Sequence, residues 1–344
     1  MESVPPKKYG GTERVVSNLT EGLVARGHEV TLFASADSRT NAHLISLCKE
    51  GLRLSGAGID SVAYNVLQLE EVVERASQFD IIHFHTDYLH YPISSRNNYP
   101  HITTLHGRLD IPGLKPLYKK FKDIPLVSIS NDQRRPLVDA NWMDTIYHGL
   151  PLNYYRPQFE KGKYLAFMGR ISSEKRVDRA IEIAIRSQLP LRIAAKIDPA
   201  DKEYFDKEIR HLLNHPLVEF IGEIGEDQKE NFLSNAIALL FPIDWPEPFG
   251  LVMVESMSCG TPVIAWRAGS VPEVIDEGIS GTVISSIEEG IKAVNNIHKL
   301  NRKTVRKKFE ERFDLEIILD QYENIYSILI DRKKTKGQFR VSFN

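Results

Sequence analysis

The residue types most able to do chemistry are concentrated in Asp244-Trp245-Pro246-Glu247-Pro248-Phe249-Gly250-Leu251-Val252-Met253-Val254-Glu255-Ser256-Met257-Ser258-Cys259-Gly260-Thr261-Pro262-Val263. Its two glutamates, Glu247 and Glu255, each accept two hydrogen bonds side by side, so either can grip a vicinal diol of the kind a ribose or hexose ring offers. An apolar strand pattern leads into the segment, prolines and Gly250 turn it, and a helix pattern follows. The backbone N–H groups near Phe249, Gly250 and Leu251 therefore sit at a helix mouth suited to an anion or to sugar hydroxyls. The plainer reading makes both glutamates ordinary solvated carboxylates near a helix start, where negative charge is favoured anyway. The apolar, Pro- and Gly-marked surroundings argue against it.

A second group is Gly169-Arg170-Ile171-Ser172-Ser173-Glu174-Lys175, read as a strand-to-helix turn. Arg170, with its planar fork, and Lys175, as a point charge, can converge there on a pyrophosphate. Solvated turn cations are the ordinary alternative, and the place at the carboxyl end of an apolar strand favours the functional reading. Tyr9-Gly10-Gly11-Thr12-Glu13-Arg14 puts a glycine pair at the head of a helix, where backbone can approach a phosphate, although glycine there is also a plain cap. His106, in Thr104-Leu105-His106-Gly107, ends another buried-strand pattern. A lone histidine is more often a structural hydrogen-bonder, but strand ends are where α/β proteins hold ligands.

These residues need a scaffold, and the periodicity supplies one. In the first half, helical spacing of Val15, Val16, Leu19, Leu23 and Val24 is followed by an apolar run Val30–Phe33. A helix-like stretch Leu67–Ala76 comes next, then runs at Ile81–Phe84, His101–Leu105, Pro125–Ile129 and Asp144–Tyr147. Pro151 to Lys163 lacks any period and reads as a linker. The second half repeats the alternation: strands at Tyr164–Met168, Leu191–Ala195, Val218–Ile221, Ala238–Phe241 and Pro262–Ala265. Between them lie helices carrying Val177 to Ile185, Tyr204 to Leu213, Gln228 to Asn235, and Leu251 to Cys259 stopped by Gly260. Strands apolar on both faces that alternate with helices predict an α/β chain with two parallel, doubly wound halves, and a working cleft at the strands' carboxyl ends. Asp314 to Ile330 reads as a further amphipathic helix with Leu315, Ile318, Leu319, Tyr322, Ile325, Tyr326 and Leu329 on one face. The basic stretch after it, Arg332 to Lys336, reads as a solvated, frayed end, with an anionic membrane surface as the sharper alternative.

Composition narrows the class. A chain of 344 residues with 42% hydrophobic and 26% charged residues is globular and long enough for two domains. Its formal charge of -2 offers no global attraction for nucleic acid. Two cysteines, outside any Cys/His cluster, argue against a disulfide framework or a structural zinc site and fit a reducing cytoplasm. No apolar run approaches the ~20 residues of a membrane span.

Taken in order, Gly10-Gly11, Gly169-Arg170 with Glu174-Lys175, the Glu-x7-Glu segment from Glu247 to Glu255, and Gly269-Ser270-Val271-Pro272-Glu273-Val274-Ile275 with Gly278 and Gly281 resemble glycosyltransferase family 4. The resemblance implies the GT-B fold, two Rossmann-like domains facing a central cleft, and a retaining enzyme that uses a UDP, GDP or ADP sugar. The implied layout is residues 1–150 as the acceptor-side domain, 151–313 as the nucleotide-sugar domain, 314–330 as a helix packing back on the first domain, and 331–344 as a basic tail. It implies that Arg170 and Lys175 neutralise the donor diphosphate, Glu255 binds the ribose, and Glu247 with Phe249, Gly250 and Leu251 holds the donor sugar. His106 would lie beside the transferred sugar, Gly10 and Gly11 over the phosphates, and Ile221, Gly222 and Glu223 at the base. His106, Glu247, Arg170 and Lys175 are the implied catalytic set. No cofactor is implied, and no Asp-x-Asp pair stands near these motifs, so no essential divalent ion is expected. The implied acceptor is a sugar, lipid-linked or small-molecule hydroxyl, reached in the cytoplasm or at the inner membrane face.

One departure stands out. Nine residues precede Gly10, and Pro5-Pro6 cannot pair inside a sheet, so the domain's usual first strand is expected to be missing. A ~10-residue apolar strand added ahead of Met1 is then expected to raise the melting temperature. The rival functions are a nucleotide-sugar-binding paralogue without turnover and a GT-B epimerase or phosphorylase. A donor panel read for binding, transfer and epimerised or phosphorolysed product separates them.

Overall fold

The computed structural model describes residues 2–7, 10–53 and 60–336, so Tyr9 and the chain after Lys336 lie outside the described residues. The chain divides into two compact units, Met1–His148 with Leu315–Asn344, and Gly149–Asp314.

The first unit opens on helix α1 (Gly11–Ala25), followed by strands β1 (Thr31–Phe33) and β2 (His43–Ile45) and helix α2 (Ser61–Glu74). Strand β3 (Ile82–Phe84), helix α3 (Tyr91–Ser94), strand β4 (His101–Thr104), helix α4 (Leu114–Lys120), strand β5 (Leu126–Ser128), helix α5 (Asn131–Arg134) and strand β6 (Trp142–Thr145) come next. All pairings are parallel, but the strands form two separate sheets, β1-β2 and β3-β4-β5-β6. Among the described residues no strand precedes α1. Residues 2–4 instead lie against the β1 end: the Ser35 N–H donates to the Glu2 carbonyl at 3.2 Å, and Val4 is buried with Leu32 and Ala34.

The second unit begins with β7 (Tyr164–Arg170), α6 (Val177–Arg186), β8 (Leu191–Lys196), α7 (Lys202–Tyr204), β9 (Val218–Gly222), α8 (Glu226–Ser234), β10 (Ala236–Phe241) and α9 (Leu251–Ser258). It ends with β11 (Val263–Trp266), α10 (Val271–Val274), β12 (Gly281–Ile284), α11 (Ile287–Asn296) and α12 (Arg302–Phe313). Its six strands form one parallel sheet in the order β12-β11-β10-β7-β8-β9. Leu165, Phe167, Ile193, Leu240 and Ile264 from the strands and Val177, Ala180, Ile181 and Ala184 from α6 share one core, which is why these segments read as continuous apolar runs.

Three boundaries differ from the expectation. The segment read as a linker, Pro151 to Lys163, has no helix or strand, yet it is part of the second unit, which starts at Gly149 rather than 151. Two arginines of α12 hold it there: Arg306 donates to the Leu152 carbonyl at 2.7 Å, and Arg302 to the Gln158 carbonyl at 2.8 Å. The helix expected from Tyr204 to Leu213 is a succession of α, π and 3-10 turns over residues 202–214. The stretch expected to fray, Arg332 to Lys336, continues helix α13 (Leu315–Lys336).

Helix α13 belongs to the first unit and packs on α1. Ile318, Leu319, Tyr322 and Ile325 join Leu19, Ile102, Val127 and Ile146 in its core. At the end of α1, Arg26 pairs with Glu316 at 2.7 Å, Asp320 at 2.8 Å and Glu323 at 2.6 Å. The helices approach closely at Gly22, where a Cβ would lie 2.7 Å from Leu319 Cδ1. Gly22→Val is therefore expected to overpack this seam and to cost about 1–3 kcal/mol in urea unfolding. An unchanged midpoint would show that the helices can separate without loss.

Candidate functional site

The second unit has one place where the sheet's own topology prepares a site. Successive strands run outward from β7 through β8 and β9 on one side, and from β10 through β11 and β12 on the other. The connections therefore diverge between the carboxyl ends of β7 and β10, the position where open α/β sheets hold ligands. The loops leaving these two strands are tied together, with the Asp244 N–H donating to the Glu174 carbonyl at 2.8 Å.

Sequence-predicted residues meet at this point. The Lys175 ammonium pairs with Glu247 Oε2, and both side chains are largely buried. The same carboxylate oxygen accepts the indole N–H of Trp245 at 2.8 Å. The ammonium in turn lies 4.9 Å from the Trp245 ring centre and 5.5 Å from that of Phe241. Arg170 does not lie in a turn, as its motif was read: Gly169 and Arg170 are the last residues of β7, where Arg170 pairs with Lys196 of β8. Its side chain engages Glu174 at 2.8 Å and Asp201 at 3.4 Å. Each predicted phosphate-binding cation is thus held by carboxylates of the same unit.

The helix mouth is as expected. Gly250 caps α9 with φ +77°, a left-handed conformation that glycine adopts without strain. Leu251 opens the helix and Phe249 is buried beside Phe313. Neither glutamate is a solvated surface group, because Glu247 is 9% and Glu255 3% exposed. Glu255 pairs with Lys229 of α8 at 2.9 Å. The loop carrying Glu247 is braced by the later glycine motif: the Ser270 N–H donates to the Glu247 carbonyl at 2.9 Å, and its hydroxyl to the Phe249 carbonyl at 2.8 Å. A Cβ on Gly269 would come within 2.4 Å of the Glu247 backbone, so only glycine fits there. Ile221 and Gly222 end the edge strand β9, with Glu223 exposed just beyond it.

In the first unit Gly10 caps α1 and Gly11 opens it, with open space where a Gly11 side chain would start. His106 follows β4 and does not stand alone. Its Nε2 lies 2.9 Å from Nδ1 of His85, and its ring stacks on that of His148 with centres 5.2 Å apart. The His85 ring lies 4.1 Å from that of His83, whose nitrogens meet the Tyr326 hydroxyl at 2.7 Å and the Thr104 hydroxyl at 2.8 Å. Sequence reasoning missed His83, His85 and His148, although His-x-His at the end of an apolar run was a visible signal. It also assigned no role to Trp245 or Lys229.

The comparisons with known proteins agree with this geometry. The family model described as Glycosyltransferase Family 4 matches residues 9–141, and the one described as Glycosyl transferases group 1 matches residues 156–312. The O-antigen chain mannosyltransferase C of Escherichia coli is 24% identical over 95% of this chain and 97% of its own length. Among solved structures, AviGT4, a glycosyltransferase involved in avilamycin A biosynthesis, superposes with TM-score 0.72 at 24% identity, covering 96% of this chain and 93% of its own. Anabaena HepE in complex with UDP and glucose gives 0.74 at 18% identity, covering 95% and 98%. The fold and paired motifs are those of a GT-B glycosyltransferase. The chain belongs to glycosyltransferase family 4.

The histidines carry a pH signature. Burial and neighbouring imidazoles push His83 down to about 3, and burial pushes His106 down to about 4. Burial beside His101 pushes His90 down to about 2, and His85 and His148 are driven well below their usual value by burial and neighbouring histidines. These groups stay neutral in the folded unit while the unfolded chain takes up protons below about pH 6.5. Stability is therefore full above that pH and falls as the pH drops toward 4. Asp87, raised by burial, works in the opposite direction but is one group against these five and His101, which burial also lowers. Thermal melts from pH 7.5 to 4.5 are expected to show this loss. His90→Gln, which removes one such proton site, should make the slope shallower by about 1.4 kcal/mol per pH unit. Equal slopes would exclude His90 as a source of the loss.

Proposed function

We propose that this chain is a retaining glycosyltransferase that moves a hexosyl group from a nucleoside-diphosphate sugar to a hydroxyl acceptor. The observation that carries the reading is the Lys175–Glu247 pair at the divergence of the β7 and β10 loops. An ammonium and a carboxylate side by side ahead of a helix N-terminus support a phosphate contact for the one and a sugar-hydroxyl contact for the other. In this assignment Arg170 and Lys175 neutralise the diphosphate, Glu247 with the backbone from Phe249 to Leu251 holds the donor sugar, and Glu255 takes the ribose hydroxyls. Ile221, Gly222 and Glu223 meet the base. Gly10 and Gly11 serve the phosphates and His106 the transferred sugar, roles that rest on the family likeness.

The chemistry follows from where charge develops. Breaking the sugar–phosphate bond builds negative charge on the departing diphosphate, and cations fixed beforehand stabilise it most at the transition state. The acceptor hydroxyl attacks from the face the diphosphate leaves, its oxygen forms the new bond to the anomeric carbon, and a phosphate oxygen takes its proton. Retention of configuration follows from this same-face attack. Transfer is expected to persist in excess EDTA. No described helix is long and apolar enough to cross a membrane. A lipid-linked acceptor would bring the chain to the inner face of a membrane peripherally, and a soluble glycan would leave it in the cytoplasm.

A thermal-shift panel of UDP, GDP and ADP with their hexose conjugates identifies the donor, since a ligand selective for the native state raises apparent stability. Arg170→Ala and Lys175→Ala are each expected to weaken binding of the matching nucleoside diphosphate by about 1.5–3 kcal/mol in calorimetry. Glu247→Ala should spare that binding and lower transfer. Diphosphate affinity indifferent to both cation changes would remove the assignment, and inverted anomeric product would remove the retaining mechanism.

A further inference from the structure

Trp245 stands in the loop after β10 and touches both charged members of the pair. Its indole N–H donates to Glu247 Oε2 at 2.8 Å, the oxygen that also pairs with Lys175, and its ring lies 4.9 Å from the Lys175 ammonium. The three side chains close a triangle in which each contacts the other two. Leucine could fill the space, and phenylalanine could supply the ring face. Tryptophan offers a large π face to a cation and a donor to a carboxylate at once. Trp245 is also only partly buried, so filling the core does not account for it.

With two donors on Oε2, the carboxylate cannot rotate without breaking both, and none of the described residues donates to Oε1. That oxygen is left to accept from a substrate hydroxyl. When a diphosphate draws the Lys175 ammonium away from Glu247, the N–H bond still holds the carboxylate and the ring still faces the cation. We propose that Trp245 is the positioning residue of the donor site: its N–H aims Glu247 at the hexosyl group, and its ring holds Lys175 for the diphosphate. This rests on the assignment of Lys175 and Glu247 to the donor.

The two contacts can be cut separately. Trp245→Phe removes the N–H and keeps a ring, and Trp245→Leu removes both. The test uses the full chain, with circular dichroism and melting temperature to confirm folding, and whichever of UDP with UDP-glucose, GDP with GDP-mannose or ADP with ADP-glucose stabilises it. Trp245→Phe is expected to bind the nucleoside diphosphate within about twofold of the parent and to lose about tenfold in kcat, the scale of one charge-assisted hydrogen bond. Trp245→Leu should show the same kcat loss and bind the diphosphate about three- to tenfold more weakly, the scale of a partly buried cation–π contact. A parent-like kcat in Trp245→Phe, or parent-like diphosphate affinity in Trp245→Leu, would overturn the proposal. Lys175→Ala and Glu247→Gln are measured alongside. If they are impaired while the Trp245 variants are not, only the role of Trp245 falls. If they too behave as the parent, the donor assignment falls and the positioning role with it.

Discussion

A lysine and a glutamate taken almost wholly out of water would ordinarily cost more than their attraction returns, because desolvating two ions is expensive. Around Lys175 and Glu247 further polar and aromatic contacts offset that cost: an indole N–H on the carboxylate and two aromatic faces against the ammonium. The arrangement suits exchange rather than permanence. Under the proposed assignment a diphosphate would offer Lys175 a stronger anion and sugar hydroxyls would offer Glu247 new donors, so a nucleotide sugar would replace the internal pair without leaving either charge stranded. The other predicted donor contacts repeat the pattern, with Arg170 held by Glu174 and Asp201 and Glu255 by Lys229. Charges already compensated inside one unit are pre-aimed, and they cost less reorganisation than side chains recruited from solvent.

The first unit solves a different problem. Its strands are three or four residues long and split between two sheets, so main-chain pairing gives it less cohesion than the six-stranded sheet gives the second unit. Packing from α13 compensates, through Tyr322 and Leu319 in its core and the carboxylates gathered on Arg26. Tyr322 and Tyr326 also reach the Thr104 and His83 side chains, so the helix that stabilises the unit fixes the histidine cluster in which His106 sits.

What the amino-acid order revealed and concealed follows the range of the forces involved. The central strands of the second unit were legible because burial on both faces leaves an unbroken apolar run, and α13 because one of its faces repeats with helical spacing, whereas the short edge strand β12, opened by Gly281 and only half buried, was not read. The second unit starts at Gly149 rather than 151 where the Leu150 N–H donates to the Phe313 carbonyl at 3.0 Å, a contact with the far end of the unit that Pro- and polar-rich composition does not report. The irregular helix over 202–214 kept helical apolar spacing at Tyr204, Phe205, Ile209 and Leu212 while its hydrogen bonds shifted register, a change that spacing cannot report. In the site, the residue types of Glu247, Lys175 and Arg170 were visible, but their pairing was not. Lys175 and Glu247 are 72 positions apart in the chain, and only the order of the strands brings their loops together.

The bracing of the Glu247 loop shows how this fold makes a loop rigid enough for chemistry. A segment with three prolines or glycines in five residues, Pro246 to Gly250, has little regular hydrogen bonding of its own, and its carbonyls must find partners elsewhere. Ser270 supplies two of them, one from its N–H and one from its hydroxyl, and can do so only because Gly269 lets the two backbones approach. The Gly269-Ser270 motif therefore acts on the loop that carries Glu247. Its presence beside the Glu-x7-Glu segment is explained by a contact between backbones that leaves no room for a Cβ.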